Sequence, residues 1–244
     1  MKLRLDKFLV EHGLVATRER AQAIILAGRV LVNEQKVEKP GAGVADDAAV
    51  RLLGEDLRYV SRGGLKLEAA LEHWKIDVAG RICADVGAST GGFTDCMLQH
   101  GAAAVLAIDT GYGQIAHKLR IDPRVTLLER TNARKLEAKQ VNITVTFLAM
   151  DVSFISATLV LPAVMAAMRP SLNEAVVLVK PQFEAGREHV GKGGIVRDPA
   201  AHALAVDRVR AAVAELDGTE VETIDSPVLG AEGNREFLLH ARWT

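Results

Sequence analysis

DVGASTGGFT, residues 85–94, follows a short apolar run and precedes a segment with helical periodicity. Its glycines let the backbone pass close to a ligand, and the start of the helix offers N–H groups without intrahelical partners. The spacing differs from the G-x-G-x-x-G dinucleotide fingerprint, and no Walker lysine follows. The stretch therefore predicts a strand, a ligand-binding loop and a helix. A tight turn with incidental glycines is the alternative.

A second acidic residue supports the interpretation of this stretch as a ligand-binding loop. The next apolar strand ends at Asp109, where a carboxylate suits hydrogen bonding to a ribose diol. Asn132 follows the third strand, where such folds contact an adenine, although a turn residue explains it equally well. An acid-led glycine loop followed by an acidic strand end is typical of S-adenosylmethionine-dependent methyltransferases.

Strand and helix patterns alternate after residue 64. Because such alternation favours a mostly parallel sheet covered on both faces, we predict an α/β, Rossmann-like domain with seven strands. The strands are expected at residues 82–86, 105–109, 125–128, 145–151, 176–180, 221–224 and 236–241. The helices are expected at residues 92–100, 113–120, 158–168 and 198–216.

The first part of the chain predicts a small α+β unit. Leu3, Leu5, Phe8 and Leu9 have helical spacing, and a second helix is expected between Thr17 as N-cap and Gly28. Short strands follow, separated by turns at residues 33–34 and 41–43. The polar, glycine-punctuated stretch 54–64 marks the boundary. We predict a small domain at residues 1–57, a linker at 58–63 and a large domain at 64–244.

Charged residues follow apolar strands of the large domain. Asp151 ends the fourth strand and Lys180 the fifth, so both are expected at the carboxyl edge of the sheet beside the glycine loop. Lys66 precedes the first strand and Glu236 starts the last one. Methylation of a hydroxyl requires a base, and a lysine can serve when its neutral form is populated. The pattern alone leaves two interpretations open, a paired catalytic role for Asp151 and Lys180 and isolated solvated charges.

Composition limits the remaining functions. The chain has 244 residues, 49% of them hydrophobic, and its apolar runs are shorter than the roughly 20 residues that cross a bilayer. Two cysteines give no disulfide framework and the histidines have no ligand spacing, so we expect a cytoplasmic protein without a metal site. The net charge is −1, but residues 1–39 carry +3, which a solvated helix face or an RNA partner would explain.

Two sets of motifs resemble known families. RLDKFLVEHGLVATRERAQAIILAGRVLVN, near the N-terminus, resembles an S4 domain, a small RNA-binding module. The succession YVSRGGLKLEAAL, DVGASTGGFTD, AIDTGYGQIAHKLRIDPRV, ERTNAR, MDVSFIS, LVKPQFE and GNREFLLH resembles the TlyA family. Members of that family are described as hemolysins and as ribosomal RNA 2′-O-methyltransferases with an FtsJ-type (RrmJ) catalytic domain. His117 departs from the pattern, which has a larger aromatic residue there.

The resemblance implies roles for individual residues. The family's catalytic tetrad falls on Lys66, Asp151, Lys180 and Glu236, with Lys180 as the base. S-adenosylmethionine would be the cofactor, and its site would comprise Asp85, Gly87, Ser89, Gly91, Gly92, Phe93, Asp109 and Asn132. Arg58-Tyr59-Val60 represents the interdomain linker. The substrate would be a cytidine 2′-hydroxyl in 16S ribosomal RNA, in 23S ribosomal RNA or in both.

The S4-like domain would hold ribosomal RNA or ribosomal subunits through phosphate contacts. The candidate residues share a positive charge and are Arg4, Lys7, Arg18, Arg20 and Arg29. Alternatives are a non-catalytic RNA-binding or ribosome-assembly factor, a different S4-bearing enzyme such as a pseudouridine synthase, and a membrane-lytic protein. The glycine loop and Asp109 would have no role in a pseudouridine synthase, and no apolar span supports membrane lysis. Residues 181–197 are either a flexible connection or a substrate loop.

Overall fold

The structure is a computed structural model that describes residues 2–15, 17–53, 58–230 and 232–243. The chain divides into two compact units, Met1–Asp56 and Leu57–Thr244. The predicted domain boundary at Leu57 lies outside the described residues, as do the other residues of 54–57. The predicted linker at 58–63 stays a prediction.

The N-terminal unit is a small α+β fold. Its elements are β1 (Lys2–Arg4), α1 (Leu5–Glu11), α2 (Arg18–Leu26), β2 (Val30–Val32), β3 (Gln35–Lys36), β4 (Gly43–Ala45) and β5 (Val50–Leu52). Strand β1 pairs with β4, and β2 lies between β3 and β5, all antiparallel. Leu5, Leu9 and Ile25 are fully buried between the two helices and the strands.

The predicted N-cap and end of the second helix are confirmed, whereas the predicted start of the first helix is wrong. The Thr17 hydroxyl accepts a hydrogen bond from Arg20 N, and Gly28 ends α2 with φ +66°. The prediction that Leu3 belongs to a helix is wrong, because Leu3 pairs with Val44 across β1 and β4. Gly43, predicted as part of a turn, begins β4 for the same reason.

The C-terminal unit confirms the α/β class. Its helices are α3 (Gly63–His73), α4 (Gly92–Gln99), α5 (His117–Arg120), α6 (Ala157–Met168), α7 (Pro181–Glu184) and α8 (Pro199–Glu215). Its strands are β6 (Ile82–Val86), β7 (Ala104–Ile108), β8 (Val125–Leu128), β9 (Phe147–Met150), β10 (Glu174–Val179), β11 (Thr219–Asp225) and β12 (Phe237–Arg242). They form one sheet in the order β11-β12-β10-β9-β6-β7-β8.

The sheet is parallel except for β12, which runs antiparallel to β10 and β11. Every residue of β9 and β10 is buried, as expected of strands covered on both faces. The carboxyl ends of β6, β7, β9 and β10 and the start of β12 therefore meet along one edge. This edge carries the candidate site.

The structure differs from the predicted helices in two segments. The helix expected at 113–120 is confined to His117–Arg120, because Gly113 has φ +71° and Ala116 N donates to Thr90 O instead. Helix α3 was not predicted, since Gly63 and Gly64 belong to the stretch that was interpreted as the domain boundary. A Cβ on Gly64 would lie 2.2 Å from Cγ of Tyr59, so this glycine permits close packing within a helix.

Residues 181–197 are not one flexible connection. Glu184 in α7 accepts hydrogen bonds from Ala157 N and the Ser156 hydroxyl at the start of α6. The buried Asn234 side chain accepts from Val196 N and donates to Gly194 O. Hydrogen bonds to other parts of the chain thus fix both parts of the segment. Within the described residues, no helix is long and apolar enough to cross a membrane.

Candidate active site

The glycine loop connects β6 to α4 in a conformation that favours glycine. Gly87 and Gly91 have φ of +88° and +93°, in the left-handed region. A Cβ on Gly87 would clash with the carbonyl oxygen of Asp151, and one on Gly92 would lie 2.3 Å from the Ser61 hydroxyl. The backbone here is therefore packed directly against neighbouring chain, and a larger side chain would displace it.

Asp85 is a fully buried carboxylate at the end of β6. Its Oδ2 atom accepts hydrogen bonds from the backbone N–H and the hydroxyl of Thr94, 2.8 and 2.6 Å away, while Oδ1 has no partner. Burial raises the pKa of Asp85 to about 7; nearby Asp151 and Asp109 act in the same direction, and the Thr94 hydrogen bonds oppose them. A cationic ligand beside this carboxyl would offset that penalty.

Asp109 follows β7 and is oriented by two backbone N–H groups. Ser89 N donates to Oδ2 at 2.8 Å and Gly111 N donates to Oδ1 at 2.6 Å. Each carboxylate oxygen keeps acceptor capacity for a further donor. Asp109 lines a cavity of about 530 Å³ that also includes Asn132, a volume within the range of small-molecule sites.

The other predicted cofactor residues take different positions. The exposed Asn132 side chain accepts from Arg134 N and so caps a short 3-10 turn. Gly91 turns the chain against Leu119 and Ile115. Phe93 is a buried core residue that reaches the wall of a second cavity.

That second cavity contains the four residues of the predicted tetrad. Its volume is about 260 Å³. Its chemically active lining comprises Lys66, Asp85, Asp151, Lys180 and Glu236. Gly87, Ser89 and Asp151 line both cavities, so the two are adjacent. The tertiary structure thus brings the predicted cofactor loop and tetrad together.

Lys180 and Asp151 form one ion pair of this site. Lys180 Nζ lies 2.5 Å from Asp151 Oδ1 and donates a hydrogen bond to the Ser153 hydroxyl at 2.7 Å. Lys180 follows β10 and is buried, whereas the Asp151 side chain is partly exposed. Two fixed partners hold the amino group at the cavity wall.

Lys66 and Glu236 form the second pair. Lys66, on α3, donates from Nζ to Glu236 Oε2 at 2.5 Å, and both residues are buried. A Cβ on Gly230 would lie 2.5 Å from Glu236 Oε1, so the loop before β12 packs against the carboxylate. A buried lysine without such a partner would carry a large desolvation penalty.

Two residues at the site were not anticipated. Ser153 is the hydrogen-bond acceptor for Lys180, and only its place two residues after Asp151 indicated it. Phe154 lines the larger cavity with 92% of its surface exposed and with φ +63°. An exposed aromatic ring in a strained conformation beside a cavity is a functional signal that the sequence does not display.

The predicted RNA-contact residues of the N-terminal unit have distinct environments. Arg4 and Arg18 both contact the buried carboxylate of Asp6. Lys7 is exposed, whereas Arg20 and Arg29 make further interactions, among them a bond from Arg29 Nε to Leu53 O. Over the described ranges, no three His, Cys, Asp or Glu residues are grouped as metal ligands would be.

Comparison with known proteins identifies the large unit. The family model for the FtsJ-like methyltransferase matches residues 59–243, three quarters of the chain and the whole of the site above. The chain belongs to the FtsJ-like methyltransferase family. The S4 domain model matches residues 3–50. The protein is therefore an S-adenosylmethionine-dependent methyltransferase with an N-terminal S4 domain, and the resemblance to the TlyA family is confirmed.

Three relatives illustrate the similarity. The 16S/23S rRNA (cytidine-2′-O)-methyltransferase TlyA of Mycobacterium tuberculosis is 45% identical over 242 residues, covering 99% of this chain and 90% of that protein. Hemolysin A of Brachyspira hyodysenteriae is 41% identical over 239 residues, covering 98% and 99%. A solved structure from Streptococcus thermophilus has a TM-score of 0.77 at 43% identity, covering 100% of this chain and 89% of that one.

The residues of this FtsJ-like site suit S-adenosylmethionine. Asp109 offers oriented acceptors for a ribose diol, and the unpartnered Oδ1 of Asp85 offers an acceptor for a cationic donor. Asp151 is paired with Lys180, but among the described residues no ion pair is formed by Asp85 or Asp109, so these two carboxylates can face a sulfonium or an ammonium group.

Proposed function

We propose that this methyltransferase modifies the 2′-hydroxyl of a cytidine in ribosomal RNA, with Lys180 as the general base. The observation that carries the proposal is the convergence of two lysine–carboxylate pairs, both with a buried lysine, beside the glycine loop in one cavity. The named activity of the Mycobacterium tuberculosis relative supplies the acceptor class. The cofactor, tetrad and RNA-contact assignments made from the sequence are part of the same proposal.

The cofactor, when bound, supplies a methyl group on a positively charged sulfur. Asp109 would hold the ribose, and the loop from Gly87 to Gly92 could approach the cofactor closely because three of its residues are glycines. Asp85 balances positive charge. These residues fix the donor, so the remaining catalytic requirements are orientation of the acceptor and removal of its proton.

Lys180 removes that proton. Asp151 and Ser153 hold Nζ in place. Once Lys180 has lost its own proton, its amino group would accept the proton of the 2′-hydroxyl while that oxygen takes the methyl group in line from the sulfur, which keeps the electron pair of the broken bond. Lys66, fixed by Glu236, donates hydrogen bonds to oxygen atoms of the target nucleotide and orients it. The S4 domain holds the RNA through Arg4, Lys7, Arg18, Arg20 and Arg29. Ribosomal RNA as acceptor places the reaction in the cytoplasm.

Methyl transfer to ribosomal subunits tests this function. Subunits that lack the modification would be incubated with radiolabelled S-adenosylmethionine and the wild-type protein, Lys180→Ala or Lys75→Ala. Lys75 is an exposed lysine just beyond the end of α3 and serves as the matched control. Mass mapping would then locate the label.

We expect label on a 2′-O-methylcytidine with wild type and Lys75→Ala, and at least a hundredfold loss with Lys180→Ala. Calorimetry should give Lys180→Ala nearly wild-type cofactor affinity. Equal loss of methyl transfer and cofactor affinity would make Lys180 a structural residue. Cofactor binding without label on either subunit would reject ribosomal RNA, and RNA binding without cofactor binding would favour a non-catalytic assembly factor.

A further inference from the structure

Asp6 is a buried carboxylate that organises two of the predicted phosphate-contact residues. It lies in the first turn of α1 and is 0% exposed. Oδ1 accepts from Arg4 Nε and Lys7 N, both at 3.0 Å. Oδ2 accepts from Arg4 Nη2, Arg18 Nε and Gln22 Nε2 at 2.9, 3.0 and 3.1 Å. One carboxylate thereby joins side chains from β1 and α2.

The two arginines are held yet remain accessible. Their side chains are 50% and 47% exposed, although both contact a carboxylate that has no exposed surface. Neither Nη1 group donates to Asp6, so each guanidinium retains donors for another partner. Two guanidiniums next to one another repel, and Asp6 provides the negative charge that keeps them together.

Two neighbouring residues, Gln22 and Gly41, also contact the group formed by Asp6, Arg4 and Arg18. Gln22 lies one turn after Arg18 on α2 and donates to the same oxygen of Asp6. A Cβ on Gly41 would lie 3.3 Å from Arg4 Nη1, so the loop before β4 packs against this guanidinium. Hydrogen bonds from Arg4 above all, and then from Gln22 and Arg18, also hold the pKa of the Asp6 carboxyl far below its usual range, so the charge persists at any working pH.

We propose that Asp6 is a positioning residue that presents Arg4 and Arg18 as one preformed site for a phosphodiester group of the RNA. This inference rests on the proposed function, because it requires RNA to bind the S4 domain. Guanidinium groups match phosphate oxygens through paired N–H donors. Arginine side chains that are already ordered lose less conformational entropy on binding than mobile ones. Asp6 therefore raises RNA affinity, although its own charge repels phosphate.

The direction in which one substitution changes the RNA affinity tests the proposal. Asp6→Asn removes a negative charge and makes the domain more cationic by one unit. If Arg4 and Arg18 act through charge alone, this variant binds RNA more tightly. If their fixed geometry matters, it binds about tenfold more weakly, the change expected when one charge-assisted hydrogen bond is lost. Tighter or unchanged binding would overturn the proposal.

The measurement uses the full chain and a fluorescein-labelled RNA hairpin, with Kd determined over a range of KCl concentrations. The slope of log Kd against log salt should be shallower for Asp6→Asn, because fewer phosphates are neutralised. Glu34→Gln is the matched control, since it breaks an exposed carboxylate–arginine pair with Arg51 in the same unit. We expect its affinity to stay within twofold of wild type.

A double-mutant cycle separates positioning from general destabilisation. Asp6→Asn should weaken binding in the wild-type background and have no further effect when Arg4 and Arg18 are both alanine. A purely structural role would give the same loss in both backgrounds. Circular dichroism and a thermal melt report whether each variant is folded. If wild type itself fails to bind the hairpin or methylate ribosomal subunits, the proposed function fails, whereas wild-type binding with an unaffected Asp6→Asn rejects this inference alone.

Discussion

Gly87 and Asp151 are in direct contact through the backbone: a Cβ atom on Gly87 would lie 2.3 Å from the carbonyl oxygen of Asp151. The residues follow the adjacent parallel strands β6 and β9, and Asp151 N donates to Val86 O at 2.8 Å. The loop that approaches the cofactor and the carboxylate that holds Lys180 therefore share one rigid junction. Disturbing the loop should disturb proton transfer as well as cofactor binding.

Gly87→Ala is expected to destabilise the protein and abolish methyl transfer. Positive φ costs an alanine about 1–2 kcal/mol, and the overlap with Asp151 adds about 1–3 kcal/mol. Gly113→Ala is the control, because Gly113 also has positive φ, +71°, but nothing lies within 4 Å of its Cβ position. Urea unfolding should show the larger loss for Gly87→Ala. Equal losses would mean that the contact with Asp151 has no energetic weight.

Asp109→Ala should weaken S-adenosylmethionine binding. Loss of the hydrogen bonds to the ribose should cost about 1.5–3 kcal/mol each. Titration calorimetry measures this directly. Asp122→Ala removes a carboxylate that also accepts a backbone N–H, from Arg124, before β8. That control should keep wild-type affinity, and an unchanged affinity for Asp109→Ala would refute the ribose assignment.

Replacing one residue of the Lys66–Glu236 pair should lower the stability of the protein more than replacing both. Lys66→Met alone leaves a buried, unpaired carboxylate and should lower the free energy of unfolding by about 3–5 kcal/mol. Lys66→Met combined with Glu236→Gln should recover part of that loss, with no recovery of methyl transfer. Urea unfolding of the two single variants and the double variant completes the cycle. Additive losses would show that the two side chains do not interact energetically.

The raised pKa of Asp85 predicts a pH-dependent stability. The pKa rises from 3.8 to about 7, so between these values only the unfolded state is ionised, and stability falls as pH rises. The destabilisation of the folded state by Asp85 is absent below pH 3.8 and constant above pH 7. The stability of Asp85→Asn relative to wild type should therefore grow across this window, by roughly 4 kcal/mol. Denaturant unfolding at several pH values measures it, and a pH-independent difference would contradict the raised pKa.

The α/β class and most strand positions could be predicted because their signals are local. The apolar runs at β6, β9 and β10 and the proline after Asp198 each specify a neighbouring piece of backbone. Helix α3 was not predicted, because its first two residues are glycines in the stretch interpreted as the domain boundary. The reason for Gly64 is its packing against Tyr59, which depends on the tertiary structure. The same limit hid the contribution of Leu3 to β1, which depends on its partner Val44.

The sequence by itself determined which functional residue types this protein has and where they lie along the chain. These are a glycine loop after a strand, acids and a lysine at strand ends, and a basic N-terminal segment. Only the tertiary structure decided the pairings. Lys66 meets Glu236 across 170 residues because β12 enters the sheet antiparallel, next to β10. Asp6 meets Arg18 in the same way, through the packing of α1 against α2, whereas Arg4 lies only two residues before Asp6. Periodicity and capping act over a few residues, whereas the distance between two charges depends on the order of strands and the packing of helices.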